Sequence, residues 1–170
     1  MTFLVLFARK MSLKNQVSDL NYKLMQKQQE LQDLQSYTAA IADGEVSMND
    51  LTTAPASMFN NMSQFMVGSH NYAMGTAQQN MAMLQGAQAA GQSTDATAQQ
   101  QYQYLVFKNL YDTQKQQYLK AEQQKLHVKE KAMENEKLKI EQQLKLAEAE
   151  LSQLDQSINN GIKESAPQYA

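Results

Sequence analysis

Two long heptad repeats constrain the fold of this chain more than any other feature of its sequence. In each repeat, apolar residues recur at alternating spacings of three and four, the pattern of a helix that buries one seam. The first repeat covers 39 residues, with seam positions Phe3, Leu6, Lys10, Leu13, Val17, Leu20, Leu24, Lys27, Leu31, Leu34, Thr38 and Ile41. The second repeat has seam positions Leu119, Gln123, Leu126, Glu130, Met133, Lys137, Ile140, Leu144, Ala147, Leu151, Leu154 and Ile158. Nine of the twelve positions are apolar in each repeat, so the sequence predicts an all-α fold.

Glycine residues mark the predicted ends of these helices. Gly44 follows the first repeat, and glycine readily adopts the left-handed conformation that ends a helix. After Asp95, which has the side chain of a helix N-cap, neither Gly nor Pro occurs until Gly161. We therefore predict one helical domain over residues 1–170: a first long helix over 3–42, a middle segment over 44–94 with short helices, a long helix over 95–160, and a tail over 161–170.

The charges predict that the two long helices pair in antiparallel orientation. Residues 9–27 carry a net charge of +4, and residues 141–164 carry a net charge of −3. If the chain folds back into a hairpin, these blocks lie side by side, with Leu13 near Leu154 and Ile41 near Leu126. Because a single exposed ion pair contributes only ~0–1 kcal/mol, we expect the charges to set orientation and register more than stability.

Between the two repeats lies an uncharged segment, residues 51–94, which has no Lys, Arg, Asp or Glu and holds six of the eleven Met. Its apolar residues fall into two sets at helical spacing, namely Met58, Met62, Phe65 and Met66, then Val67, Met74, Ala77, Met81 and Leu84. Small residues recur seven apart at Gly68, Gly75, Ala82 and Ala89. A helix with an apolar face and a small-residue face can be contacted from two sides. We interpret the segment as a helix buried by its own chain and by neighbouring subunits; a flexible loop at the hairpin tip is the alternative.

The beginning of the first helix carries more apolar surface than its seam needs. Residues 3–7 are apolar on every side of the helix, and a two-helix hairpin cannot cover all of them. Another subunit or a lipid surface is expected to do so. The predicted subunit-interface residues are Phe3, Leu4, Leu6, Phe7, Met58, Met62, Phe65, Met66, Gly68, Met74, Gly75, Met81 and Leu84. The remaining apolar seam residues, from Leu13 to Ile41 and from Leu126 to Ile158, are predicted to pack within the chain.

Composition excludes several functional classes. A net charge of −2 argues against a nucleic-acid binder. His70 and His127 are the only histidines, Cys is absent, and no carboxylate pair lies on an apolar surface, so we expect no enzyme, cofactor, metal or small-molecule substrate. The first apolar run precedes Arg9 and Lys10, the reverse of a general secretion signal, and it is far shorter than a membrane span. Export without such a signal and an intracellular location both remain open.

With helical ends and polar but uncharged material between them, the layout resembles bacterial subunits that polymerise through terminal helices. Flagellin-like proteins and the filament or translocator subunits of type III secretion are similar in this respect, although this chain has no recognisable surface β domain. The resemblance implies a self-assembling structural protein, the subunit of an extracellular or cell-surface filament or sheath, whose partner is itself. The alternatives are an intracellular coiled-coil adaptor or chaperone-like protein that holds a client helix on its Met residues, and a membrane-active translocator.

Overall fold

The computed structural model describes residues 3–88 and 96–165. These residues form helices α1 (Phe3–Ala40), α2 (Met48–Thr53), α3 (Ala56–Gln88) and α4 (Ala96–Ser165). No strand occurs in these two ranges, so the predicted all-α class is confirmed. The chain divides into two compact units, the first comprising Met1–Gln32 and Lys131–Ala170 and the second comprising Asp33–Glu130.

The first unit is an antiparallel pair made by α1 and α4. Arg9 Nη2 lies 2.8 Å from Glu150 Oε1, and Lys27 Nζ lies 3.1 Å from Glu136 Oε2. Since residue numbers rise along α1 while those of their partners fall along α4, the two helices run in opposite directions. The predicted hairpin is therefore confirmed. Its predicted register would place residues 158 and 140 opposite Arg9 and Lys27, so the observed ion pairs differ from it by about two helical turns and one helical turn.

In the second unit, α3 packs with the end of α1 and the beginning of α4. Its core consists of buried side chains from all four helices and from the turn after α1: Leu34, Tyr37, Ile41, Leu51, Met58, Met62, Phe65, Ala73, Ala77, Leu119 and Leu126. On α3 the buried positions, which include Ser69 between Phe65 and Ala73, are three or four residues apart, and this spacing places them on one face of the helix. Burial of a side chain of this size contributes ~1.5–3 kcal/mol, so this face fixes α3 in place.

Both seams occupy the positions that the heptads predicted. Every seam residue whose side chain is described is buried or half-buried, from Leu6 to Ile41 in the first repeat and from Leu119 to Ile158 in the second. Lys10 and Lys27 fit into the seam because their ammonium groups reach carboxylates on α4, Lys10 Nζ lying 2.6 Å from Asp155 Oδ1. Their aliphatic stems can cover apolar surface while the charge stays in water.

The turn after α1 requires a glycine. Gly44 has a φ of +72°, and its N–H donates to the Ile41 carbonyl at 2.9 Å. A side chain in this left-handed conformation is strained, and an added Cβ would also lie 3.1 Å from Leu119 Cδ2. Gly44 therefore ends α1 as predicted and lets the chain pass close to α4.

Two predicted boundaries were wrong. The middle segment does not consist only of short helices, because α3 runs for 33 residues through Gly68 and Gly75. The last helix does not stop before Gly161 but continues to Ser165. Glycine costs ~1 kcal/mol within a helix but retains its N–H, so it does not break a helix that tertiary contacts stabilise. Proline does break helices, and no Pro occurs between Pro55 and Pro167.

Candidate assembly surfaces

The contact between α3 and α4 is centred on Tyr118. Its ring centroid lies 5.8 Å from that of Phe65 and 5.6 Å from that of Tyr72, in tilted geometry. Gly68 lies against the same ring, so that a Cβ added there would be 2.5 Å from Tyr118 Oη. Tyr118 of α4 is thus packed on α3. Gly68, which we predicted to lie in a subunit interface, lies instead against this ring of its own chain.

Three predicted interface residues belong instead to the core of the chain. Met58, Met62 and Phe65 are exposed by only 4%, 1% and 3% within the single chain. Side chains covered to this extent offer no surface to a second molecule. Helical spacing identified correctly that they share a face, but a heptad pattern does not reveal whether that face is covered by the same chain or by another.

The other predicted interface residues of α3 keep more surface. Met66, Met74 and Met81 are half-buried, and Leu84 is exposed. Gly75 is also exposed, and an added Cβ would meet no atom within 4 Å, so no close approach explains this glycine. The sequence did not single out Met83 as an interface residue, although it is more exposed than any of these.

The beginning of α1 presents the most exposed of the predicted interface residues. Leu4 is 79% exposed and Phe7 is 46% exposed, and between them Val5 is 53% exposed. Leu6 is half-buried because it lies on the seam. The side chain of Phe3 lies outside the described residues.

The two cations that follow this apolar turn form ion pairs with carboxylates of α4. Arg9 pairs with Glu150 and Lys10 pairs with Asp155, as the predicted charge blocks required. Further along α1, hydrogen bonds from the Lys27 ammonium to Glu30 and then to Glu136 raise the pKa of Lys27 above its ordinary value. The charges beside the apolar turn are therefore balanced within the first unit.

His70 makes a polar contact with Tyr111 across the space between α3 and α4. Its Nδ1 lies 3.0 Å from the Tyr111 hydroxyl, and it borders an open cleft of about 330 Å³ that also includes Ser69 and Lys115. Among the described residues, no group of three or more His, Asp or Glu side chains is arranged to hold a metal ion. The polar groups of this cleft are the His70 imidazole, the Tyr111 phenol, two serine hydroxyls and the ion pair between Lys115 and Glu45, whose Nζ and Oε1 atoms lie 3.6 Å apart.

The heptad pattern did not predict one buried phenol, that of Tyr37. Tyr37 is buried in the second unit beside a cleft that includes Glu122 and Tyr118. Burial, followed by the negative charge of Glu122 and the neighbouring Tyr118, raises the pKa of Tyr37 well above its ordinary value. Its position three residues after Leu34 was the available signal, since i and i+3 share a helix face.

Comparison with known proteins gives no relative: no family model, curated protein or solved structure matches this chain. The described helices also include none that is both long enough and apolar enough to cross a membrane.

Proposed function

We propose that this chain is a self-assembling structural protein, a helical-hairpin subunit of a bacterial filament or sheath that acts outside the cell. The observation that carries the proposal is the apolar first turn of α1, where Leu4 and Val5 are exposed although α4 lies alongside the same helix. Contiguous exposed apolar side chains favour association, and a second copy of the chain is the partner that the proposed role requires. This role needs no catalytic residue, cofactor or small-molecule substrate.

The burial of Met58 and Met62 weakens the adaptor alternative. An adaptor would use adaptable Met side chains to hold a client helix. Met58 and Met62, in the first third of the uncharged segment, are instead covered by the protein itself. The exposed apolar turn of α1 is then the stronger candidate for contact with another molecule.

The test is sedimentation and negative-stain electron microscopy of the purified protein across a wide concentration range. Wild type should form polymers, and deletion of residues 2–8 should abolish them or raise the critical concentration by more than about tenfold. Burial of a Leu or Val contributes ~1.5–3 kcal/mol, and 1.4 kcal/mol corresponds to a factor of ten. Circular dichroism should change little, because the seam from Leu13 to Ile41 remains.

A matched pair of variants makes the test specific. Leu4→Gln with Val5→Gln should weaken assembly, whereas Leu146→Gln, at an equally exposed position of α4, should not. Wild type that stays monomeric at every concentration would contradict the proposal. Loss of vesicle flotation in the deletion variant, with self-association unchanged, would support the membrane-active alternative instead.

A further inference from the structure

The apolar surface of α1 does not end with its first turn. Within the first unit, Met11 is 62% exposed, Tyr22 is 64% exposed and Met25 is 68% exposed. With Leu4, these side chains form what we call the outer stripe of α1. Each of the four precedes a seam residue by two positions, which is about 200° around the helix. The outer stripe therefore faces away from the seam that α4 covers.

The outer stripe has its own heptad register. Positions alternate at spacings of four and three through Leu4, Ala8, Met11, Asn15, Ser18, Tyr22 and Met25. In this register Leu4, Met11, Ser18 and Met25 occupy d positions, and Ala8, Asn15 and Tyr22 occupy a positions. All seven are exposed in the single chain. An Asn at an a position is a known device that specifies register and oligomeric state at a cost in stability.

Two charged residues border the outer stripe with the spacing of a parallel coiled coil. Lys14 occupies a g position and Asp19 the following e position, five residues later. Both are exposed, and within the described residues neither makes an ion pair or a hydrogen bond. In a parallel, in-register pair of helices, the g residue of one helix meets the e residue of the other. Lys14 would then pair with Asp19 of the second copy, twice per dimer.

The same charges disfavour the antiparallel arrangement. The outer stripe is centred close to Asn15, so an antiparallel pair that matches the two stripes brings Lys14 of one copy near Lys14 of the other. Like charges at this distance repel. Charge complementarity thus favours a second copy of this chain as the partner, with its α1 helix in parallel orientation.

We infer that the outer stripe of α1 binds the outer stripe of a second copy of this chain, in parallel and in register, with Lys14 of each copy paired to Asp19 of the other. The inference rests on the proposed self-assembly and specifies one of its contacts. A two-fold dimer of this kind is a closed contact, so it would supply a building block whose other surfaces remain available for polymer growth.

Charge reversal tests the pairing at low salt, where exposed charges are least screened. Lys14→Glu and Asp19→Lys should each weaken dimerisation by about threefold to tenfold, since each replaces two attractive pairs with two repulsive ones. The double variant should return the dissociation constant to within about threefold of wild type. Lys139→Glu, an exposed position of α4 with the same change in net charge, should have no effect.

Disulfide cross-linking tests the direction. The chain has no cysteine, so Ser18→Cys introduces a single thiol at a d position of the outer stripe. Parallel copies bring these two thiols within bonding range, and mild oxidation should give a covalent dimer. An antiparallel pair packs a positions against d positions, so it would instead require Ala8→Cys together with Ser18→Cys. Ser152→Cys, exposed on α4, is the control and should give no covalent dimer on oxidation.

Wild type that assembles while Ser18→Cys fails to cross-link, or while both charge reversals leave dimerisation unchanged, would overturn this inference and leave the proposed function standing. Cross-linking only in the Ala8→Cys and Ser18→Cys combination would also overturn it, in favour of an antiparallel contact. Wild type that is monomeric throughout would overturn both. Restoration in the double charge variant together with a Ser18 disulfide supports it.

Discussion

At the scale of single residues, Gly68 and Gly75 lie in the same helix but face different surroundings. An added Cβ at residue 68 would lie 2.5 Å from Tyr118 Oη and 3.3 Å from Cζ, whereas residue 75 has open space around it. Gly68→Ala should destabilise the protein by about 1–3 kcal/mol, because the ring would have to leave its contacts with Phe65 and Tyr72. Gly75→Ala should stabilise it by about 1 kcal/mol, the helix propensity difference. Urea unfolding followed by circular dichroism measures both.

A double variant separates this clash from any general intolerance of alanine. Tyr118→Phe removes the hydroxyl that an alanine at position 68 would meet first. In that background Gly68→Ala should cost less than it does in wild type. Equal costs in the two backgrounds would mean that the Tyr118 hydroxyl is not what requires the glycine.

The buried phenol of Tyr37 makes stability depend on pH in the alkaline range. Its pKa is raised in the folded protein from an ordinary value of 10.0, mainly by burial. The unfolded chain therefore begins to lose this proton near pH 10 while the folded chain keeps it. The contribution is fully present below pH 10 and is lost as the pH rises above it. Urea midpoints at pH 7 and pH 11 should differ less in Tyr37→Phe than in wild type; an unchanged difference would contradict this assignment.

At the scale of elements, the six-residue helix α2 depends on one capping box. The Ser47 hydroxyl donates to Asp50 Oδ2 at 2.7 Å, the Ser47 N–H donates to the same oxygen at 2.8 Å, and the Asp50 N–H donates back to Ser47 Oγ at 3.1 Å. Such reciprocal bonds satisfy N–H groups that the first turn of a helix leaves free. The pattern of Ser followed three residues later by an acidic residue was visible in the sequence, but our interpretation of the middle segment overlooked it.

This capping box predicts that α2 frays in acid. Hydrogen bonds from the Ser47 hydroxyl and then from its N–H lower the pKa of Asp50, so the ionised carboxylate is favoured in the folded state. The contribution is present above the ordinary Asp pKa and is lost as the pH falls through the lowered folded value. Amide protection factors of residues 48–53 should decline over that range in wild type. They should be low already at pH 6 in Asp50→Asn. Asp43→Asn, which removes the same charge from an exposed position outside the capping box, serves as the control. Protection that is independent of pH in wild type would contradict the prediction.

The ends of elements could be predicted only where the local chemistry is decisive. Gly44 ended α1 because the turn needs a left-handed residue and close passage beside Leu119. Residue 161 is also a glycine, yet α4 continues through it to Ser165. Sequence alone does not distinguish the two, because the difference lies in the chain direction after each glycine and in what each one packs against.

At the scale of the whole molecule, the hairpin could be predicted because the apolar residues that form its seams recur at regular heptad spacing. Seam positions such as Leu13 and Leu126 follow from spacing, and orientation follows from charge. What covers a given face does not follow from spacing, which is why Met62 was placed in a subunit interface although it is buried in its own chain. The exposure of the turn at Leu4 could be predicted without knowing which partner covers it, because that turn is apolar on more sides than one neighbouring helix can cover.

The contact between Gly68 and Tyr118 also has a consequence for the descent of this protein. The two residues share one volume, so neither position is free to change alone. A smaller residue must therefore replace Tyr118 before a larger residue can replace Gly68. If the substitution at position 68 came first, the intermediate protein would be overpacked between α3 and α4. Homologues of this chain should therefore show a compensating exchange of size between these two positions, with the smaller residue at 118 arising earlier.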